Sequence, residues 1–122
     1  MKLAKLFLVV VSTTLIGNAF AGNAIQCPRP IVIKNTYLNN AHPHEDKWAV
    51  SEYNNFGTPE MWGFGFANIN ASSAADAASQ ANSALDSLTF NSGPFASTRL
   101  GVTVCYYDSA AGFQGIALTL MS

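Results

Sequence analysis

Charged residues are scarce in this chain, which limits the partners that it can attract. Lys, Arg, Asp and Glu make up 11% of its 122 residues, and the formal net charge at pH 7 is −1. Residues 22–122 keep four cations and seven anions, a net of 4 − 7 = −3, spread along the chain. A basic stripe for nucleic acid and a basic amphipathic helix for anionic lipid are both missing from this pattern. We therefore expect a neutral, hydrogen-bonding surface and no nucleic-acid partner.

Residues that carry catalysis or bind metals are equally few. The only two histidines, His42 and His44, are followed by Glu45 and Asp46. These four side chains could hold zinc or copper, but the polar context favours a solvated loop, so His42 and His44 are weak candidate ligands. No Gly-x-Ser-x-Gly turn is present, and no spacing selects a pair of carboxylates for glycoside hydrolysis. We expect no cofactor and no catalytic activity; the minor alternative is a metal-binding or hydrolytic protein that uses His42 and His44.

Long apolar runs are also missing, except at the start of the chain. Two lysines precede the apolar residues 6–11, and Ala-Phe-Ala follows at residues 19–21. A charged start, an apolar centre and a small-x-small end are the three parts of a secretory signal peptide. The run is well short of the roughly 20 residues that span a bilayer, so a membrane anchor is not expected. We predict a signal peptide at residues 1–21, cleaved near Ala21, and one small domain at residues 22–122 that is periplasmic or secreted.

The predicted mature chain has two cysteines, Cys27 and Cys105. Paired thiols persist as disulfides in the oxidising compartments that exported chains reach. We therefore expect a Cys27–Cys105 bridge, which would stabilise the domain by roughly 4–4.5 kcal/mol in the chain-entropy model. A reactive thiol is not indicated, because the sequence has no Cys-x-x-Cys motif.

Hydrophobic patterning predicts an α+β fold in the order β-β-β-α-β-β. Sequential strands tend to pair, which favours an antiparallel sheet of about five strands with one Ala-rich helix packed on it. The predicted strands are residues 31–36, 47–53, 61–69, 99–107 and 113–121, and the predicted helix is residues 72–88. Residues 39–46, 54–59 and 91–97 are predicted loops because they are rich in Asn, Gly and Pro. Ser73, with Asp76 three residues later, resembles a helix-capping pair.

Large and small residues alternate in the third predicted strand. Its bulky residues share one face: Trp62, Phe64 and Phe66. Its small residues share the other: Gly63, Gly65 and Ala67. We expect the aromatic face in the core and the helix over the small face, or over the equivalent surface of a neighbouring strand, because glycine in a strand often marks a close approach.

Aromatic side chains are the best candidates for binding, since Tyr and Trp join an apolar body to a polar tip. We select Trp48, Tyr53, Phe56 and Tyr107 as possible binding residues. Tyr106 and Tyr107 are neighbours on one strand, so one of them faces outward.

The two ends of the predicted mature chain resemble a family of small exported bacterial proteins of unknown function. The resemblance is carried by Cys27-Pro28, by Ile-Val-Ile at residues 31–33, by a mid-chain tryptophan (Trp48 or Trp62) and by Cys105-Tyr106-Tyr107 before a Gly-containing hairpin. That family opens with Cys-Pro and closes with a Cys-Tyr-Tyr-like strand. The resemblance implies export from a Gram-negative cell, the Cys27–Cys105 bridge and an α+β fold. It implies no catalytic residues.

Two classes of function therefore compete with the minor metal-binding alternative. The first is a non-catalytic, exported binding or effector-like domain whose partner is a protein or a small polar ligand outside the cytoplasm. The second is an exported enzyme inhibitor, in which a rigid loop at residues 54–60 or 91–97 would plug a cleft. The sequence leaves the oligomeric state open.

Overall fold

The structure is a computed structural model and describes residues 25–97 and 99–120. The predicted signal peptide at residues 1–21 lies outside the described residues. Neither of the helices in the described ranges is long and apolar enough to cross a membrane.

The described residues form six strands and two helices. In chain order these are α1 (Pro30–Ile33), β1 (Asn40–His44), β2 (Lys47–Asn54), β3 (Trp62–Ile69), α2 (Ala74–Leu85), β4 (Thr89–Ser97), β5 (Val102–Asp108) and β6 (Gly115–Thr119). The strands form one sheet in the order β1-β2-β3-β6-β5-β4, and every neighbouring pair is antiparallel. The antiparallel α+β architecture is therefore confirmed, with six strands in place of five and with a second, short helix.

The segment predicted as the first strand is helical instead. Pro30 occupies the start of α1, where its fixed φ suits a helix and its missing N–H is not needed. The amide of Lys34 donates to the carbonyl oxygen of Pro30 at 2.8 Å, and the side chain of Ile33 is fully buried. The prediction of a strand over residues 31–36 is wrong because the preceding proline outweighs the β-branched run.

Two segments predicted as loops are the edge strands of the sheet. β1 lies within the predicted loop at residues 39–46 and pairs directly with β2, so that Pro43 lies opposite Trp48. β4 contains the predicted loop at residues 91–97, and its pairing with β5 shifts register twice, between Phe90 and Ser92 and between Ser92 and Phe95. An edge strand tolerates proline because one of its sides has no hydrogen-bonded neighbour. Proline and glycine therefore mark edge strands here rather than loops.

The helix α2 lies within the predicted range of residues 72–88 and begins at Ala74, after the predicted cap. The Ser73 hydroxyl caps it by accepting a hydrogen bond from the amide of Asp76 at 3.1 Å. The side chains of Ala77, Ala81 and Leu85 are buried in the same core cluster as the aromatic residues of β3. The helix therefore covers the aromatic face of the sheet, and the expectation that it covers the small face is wrong.

The small residues of β3 accommodate the neighbouring strand β2. A Cβ at Gly65 would lie 2.7 Å from the carbonyl oxygen of Val50, and a Cβ at Gly63 would lie 3.1 Å from Cε1 of the Tyr53 ring. Glycine is needed at position 65, where a Cβ would meet rigid backbone, whereas at position 63 it would meet the movable Tyr53 ring. The close approach expected from the sequence therefore exists but is made by β2 and not by the helix.

A disulfide and a hydrogen bond connect the start of the described chain to β5. The predicted bridge between Cys27 and Cys105 is present, with a Cα–Cα distance of 5.9 Å. Next to it, the buried Tyr107 hydroxyl donates to the carbonyl oxygen of Pro28. Burial raises the pKa of Tyr107 well above its ordinary value, so this hydroxyl keeps its proton and remains a donor.

Candidate functional site

The two faces of the sheet differ in how they are covered. On one face lie α1, α2 and the segment before α1, and the strand residues that point there, such as Phe64, Cys105 and Ala117, are 0% exposed. On the other face, Tyr53 is 59% exposed and Leu118 is 40% exposed. No helix or loop of the described ranges buries this second face.

One apolar row crosses the uncovered face from β2 to β4. The strand registers place its members side by side, in the order Tyr53, Gly63, Leu118, Val104 and Phe95. Each comes from a different strand, so no single segment of the sequence contains more than one of them. We call this set the central row.

A second row lies beside the central row on the same face. Its members, in the same strand order, are Ser51, Gly65, Ile116, Tyr106 and Ser92. Serines at its two ends and apolar side chains in its middle make the face more polar towards its borders, as at the core and rim of a binding surface.

We use the term open face for the apolar side chains of both rows together with Leu120, which continues the ladder after β6 through a bond from its amide to the carbonyl oxygen of Met61. The open face thus consists of Tyr53, Phe95, Val104, Tyr106, Ile116, Leu118 and Leu120. Its exposed apolar area is on the order of 500 Å², since Phe95 and Leu120 are also 50% and 43% exposed and a large side chain has roughly 150–250 Å² to bury. The largest apolar patch of a typical monomeric protein is about 300–600 Å² and is often functional, so the open face is the candidate binding surface.

The shape of the open face depends on which side chains lie beside its aromatic rings. Because Gly63 has no side chain, the Tyr53 ring lies against β3, and Leu120 borders the same position. On the opposite flank, the rings of Phe95 and Tyr106 pack with their centroids 5.9 Å apart. The face therefore has an aromatic group at each flank and smaller aliphatic side chains between them.

The electrostatic character of the open face is neutral. Neither row contains an ionisable acid or base among the described strands, apart from the phenol of the tyrosines. Ionisable groups on the same side of the sheet lie outside both rows: Lys47 begins β2, Asp108 ends β5, and His42 and His44 lie on β1 opposite Ala49 and Lys47. A ligand recognised here would therefore be selected by apolar contact rather than by charge.

Of the predicted binding residues, only Tyr53 lies on the open face. Trp48 is half-buried and packs against the core. Phe56 is 2% exposed and Tyr107 is 0% exposed, so both fill the core and offer no surface to a partner. The alternation of Tyr106 and Tyr107 is as expected, but Tyr106 is the one that faces outward.

The sequence carries a signal for the uncovered residues of β5. β5 alternates Val102, Val104 and Tyr106 with Cys105 and Tyr107, so both of its faces are apolar. A fold with a single long helix can cover only one face of its sheet, and the apolar residues left over must therefore lie in the open.

The weak metal candidates His42 and His44 lie on the edge strand β1, opposite Ala49 and Lys47, and both are exposed. In the described ranges, no group of three or more His, Cys, Asp and Glu side chains is close enough to hold a metal ion. Two imidazoles on an exposed edge do not form a closed coordination site.

The loop suggested for an inhibitor is folded onto the domain. The Phe56 side chain is buried beneath it. The side-chain oxygen of Asn54 accepts a hydrogen bond from the amide of Phe56, and that of Asn55 accepts one from the amide of Gly57. These bonds and the buried Phe56 fix the start of the loop at residues 54–60. The other suggested loop, residues 91–97, lies in β4.

A groove of about 570 Å³ lies beside the disulfide. It is lined by residues 25–30 together with Phe90, Gly93 and Pro94. Arg29 is the only charged side chain in this lining, so the groove lacks the paired titratable groups that acid–base chemistry requires.

Comparison of the chain with protein-family models, with curated proteins and with solved structures finds no match.

Proposed function

We propose that this chain is an exported, non-catalytic binding domain that docks an apolar partner surface through its open face. The observation that carries the proposal is the central row, in which apolar residues of five neighbouring strands lie uncovered side by side. A protein gains nothing in solubility from such a surface, and the largest exposed apolar patch of a soluble domain is often functional, which supports contact with a partner.

Export is part of the same proposal and has two supports. The first 21 residues have the three-part pattern of a signal peptide. The Cys27–Cys105 disulfide is compatible with an oxidising compartment such as the periplasm or the medium. We propose that the domain works there after cleavage near Ala21.

The size of the open face indicates a reversible interaction. With an equal area contributed by the partner, covering the open face would bury on the order of 1,000 Å² in total, at the lower end of specific protein–protein interfaces. Interfaces at this end of the range are typical of transient complexes, so we expect a partner that binds and dissociates rather than one that is permanently bound.

The test is a comparison of two substitutions that place the same charge on opposite sides of the molecule. Leu118→Glu puts a carboxylate at the centre of the open face. Ile31→Glu puts one on α1, where Ile31 is already 62% exposed, and serves as the matched control. Tagged forms of each are captured from the periplasm and from the medium of the cells that make the protein.

We expect the wild type and Ile31→Glu to retain the same bound protein and Leu118→Glu to lose it. Circular dichroism of each variant establishes that the fold is intact. Equal retention by Leu118→Glu would show that the open face is not the contact surface.

A further inference from the structure

We propose that the peptide bond between Arg99 and Leu100 is a cleavage site for a protease that cuts after arginine or lysine, and that the Cys27–Cys105 disulfide keeps the two products together in one domain. The inference goes beyond the proposed function, because it concerns the tip of the β4–β5 hairpin and requires no partner at the open face.

The site lies at the tip of a hairpin. β4 ends at Ser97 and β5 begins at Val102, and the pairing of the two strands ends with this pair. Arg99 and Leu100 lie beyond it and are both exposed, Leu100 to 64%. Neither belongs to the core cluster, so a break between them removes no core contact and no strand pair. Exposed loop tips are the places where folded domains are preferentially nicked.

The end of β4 can open without the rest of the sheet. β4 is an edge strand, and its pairing with β5 is interrupted between Ser92 and Phe95, so that the three pairs of residues 95–97 hold its last part. These residues bury little, since Phe95 is 50% exposed and the following alanine is also exposed. Segments with few buried contacts open at a low free energy. The Arg99–Leu100 bond can therefore enter the cleft of a protease while the other strands stay paired.

Two of the other basic residues of the domain are protected by their immediate surroundings. Residues 22–122 contain four in all: Arg29, Lys34, Lys47 and Arg99. Arg29 is followed by Pro30, so the bond after it has no N–H and a fixed φ on its C-terminal side, which this class of protease does not accept. Lys47 begins β2, which is paired with β1 on one side and with β3 on the other.

Lys34 is the nearest competitor of Arg99. It is exposed, but its amide donates to the carbonyl oxygen of Pro30 at 2.8 Å, and the amide of Asn35 donates to that of Val32 at 3.1 Å. The residue before it, Ile33, is fully buried. Cleavage after Lys34 therefore requires α1 to unwind and Ile33 to leave the core, whereas cleavage at the hairpin tip requires neither.

The disulfide spans the cleaved bond. The N-terminal product carries Cys27, and the C-terminal product, residues 100–122, carries Cys105. The C-terminal product contributes β5 and β6, which lie inside the sheet between β3 and β4. The buried hydrogen bond from Tyr107 to Pro28 also joins the two products. Cleavage alone therefore leaves the domain whole, and release of the C-terminal product requires reduction of the bridge as well.

The reaction is a hydrolysis with water as the co-reactant. The bond between the carbonyl carbon of Arg99 and the nitrogen of Leu100 breaks, and water supplies a hydroxyl to the carbon and a hydrogen to the nitrogen. After proton transfer the new ends are a carboxylate and an ammonium group, so the net charge of the domain is unchanged. The disulfide takes no part in this step.

The cleavage site is tested by brief digestion of the purified, oxidised protein with a small amount of trypsin under native conditions. We expect one early product, whose mass without reductant is that of the intact chain plus one water molecule. After reduction in denaturant it is expected to separate into two fragments, one ending at Arg99 and one beginning at Leu100.

Three exposed substitutions show which bond is cut. Arg99→Gln is expected to lower the initial rate of cleavage at least about tenfold, because the remaining sites are cut only in the small population of opened molecules. Arg99→Lys keeps a basic side chain and is expected to be cut after residue 99. Lys34→Gln is the matched control and is expected to be cut like the wild type.

The role of the disulfide is tested on the cleaved protein. Oxidised and cleaved protein is expected to keep the circular dichroism of the intact chain and to elute from gel filtration as one species, and mild reduction followed by dilution is expected to separate the products. Loss of the sheet signal before reduction, or products that stay together after it, would overturn this part of the inference.

The site itself would be overturned by early cleavage after Lys34 or Lys47, by resistance of the folded wild type, or by an unchanged rate for Arg99→Gln. Mass spectrometry of the protein recovered from the periplasm and the medium of the cells that make it is expected to find the form cleaved after Arg99. Recovery of the intact chain alone would show that this bond is not processed where the protein works.

Discussion

Reduction of the Cys27–Cys105 bridge is expected to lower the free energy of unfolding by about 4.5 kcal/mol in the chain-entropy model. The magnitude follows from the sequence separation of 78 residues between the two cysteines, which makes the closed loop nearly as long as the domain. The loss arises in the unfolded chain, which gains freedom when the loop is opened, while the native contacts are kept. It is comparable to the whole net stability of a small domain, about 5–15 kcal/mol.

Urea unfolding of oxidised and chemically reduced protein measures this effect without any substitution. Trp62 is fully buried and donates to the Thr58 hydroxyl at 2.9 Å, so its fluorescence reports loss of the core. With a slope of about 1–2 kcal/mol per M for a domain of this size, the urea midpoint is expected to fall by roughly 2–4 M. A fall of less than about 0.5 M would refute the reasoning, because the bridge would then not restrict the unfolded chain.

Further predictions concern individual side chains. Tyr107→Phe leaves a buried carbonyl oxygen without its donor and is expected to cost about 1–3 kcal/mol in urea unfolding. Since burial raises the pKa of Tyr107, the unfolded chain loses this proton first, so wild-type stability falls as pH rises above about 10, and the phenylalanine variant lacks that part of the fall. Gly65→Ala is expected to lower the melting temperature more than Gly63→Ala, because the new Cβ meets a rigid backbone oxygen in the first case and a movable ring in the second; equal effects would contradict this. Ser73→Ala is expected to cost about 1 kcal/mol through loss of the helix cap, measured by thermal unfolding, and no change would show that the cap is not stabilising.

The antiparallel α+β architecture could be predicted because the strong periodic signals were local. The alternation around Phe64 and the alanine spacing of α2 each lie within one segment, and both elements are present. The predicted secondary structure is wrong for the segments that contain or follow proline. Pro30 starts a helix, whereas Pro43 and Pro94 lie in edge strands, and a single sequence does not show which strand will be at an edge.

The open face was harder to predict because it is a product of strand order. β6 follows β5 in the chain but lies between β3 and β5 in the sheet. Leu118 therefore joins Gly63 and Val104 in one row only after the sheet has formed. Residue type alone selects Tyr53, Phe56 and Tyr107 equally, although Phe56 and Tyr107 belong to the core.

The most direct test of the account compares two tyrosines of nearly equal exposure on different sides of the domain. Tyr53, on the open face, is 59% exposed, and Tyr37, next to the α2-bound Leu38, is 61% exposed. Hydroxyl-radical labelling of the two is measured in dilute purified protein and in the cells that export it. If the open face is the contact surface, the labelling of Tyr53 relative to Tyr37 falls several-fold in the cells. An unchanged ratio would mean that the open face is not covered where the protein works, and it would contradict the account.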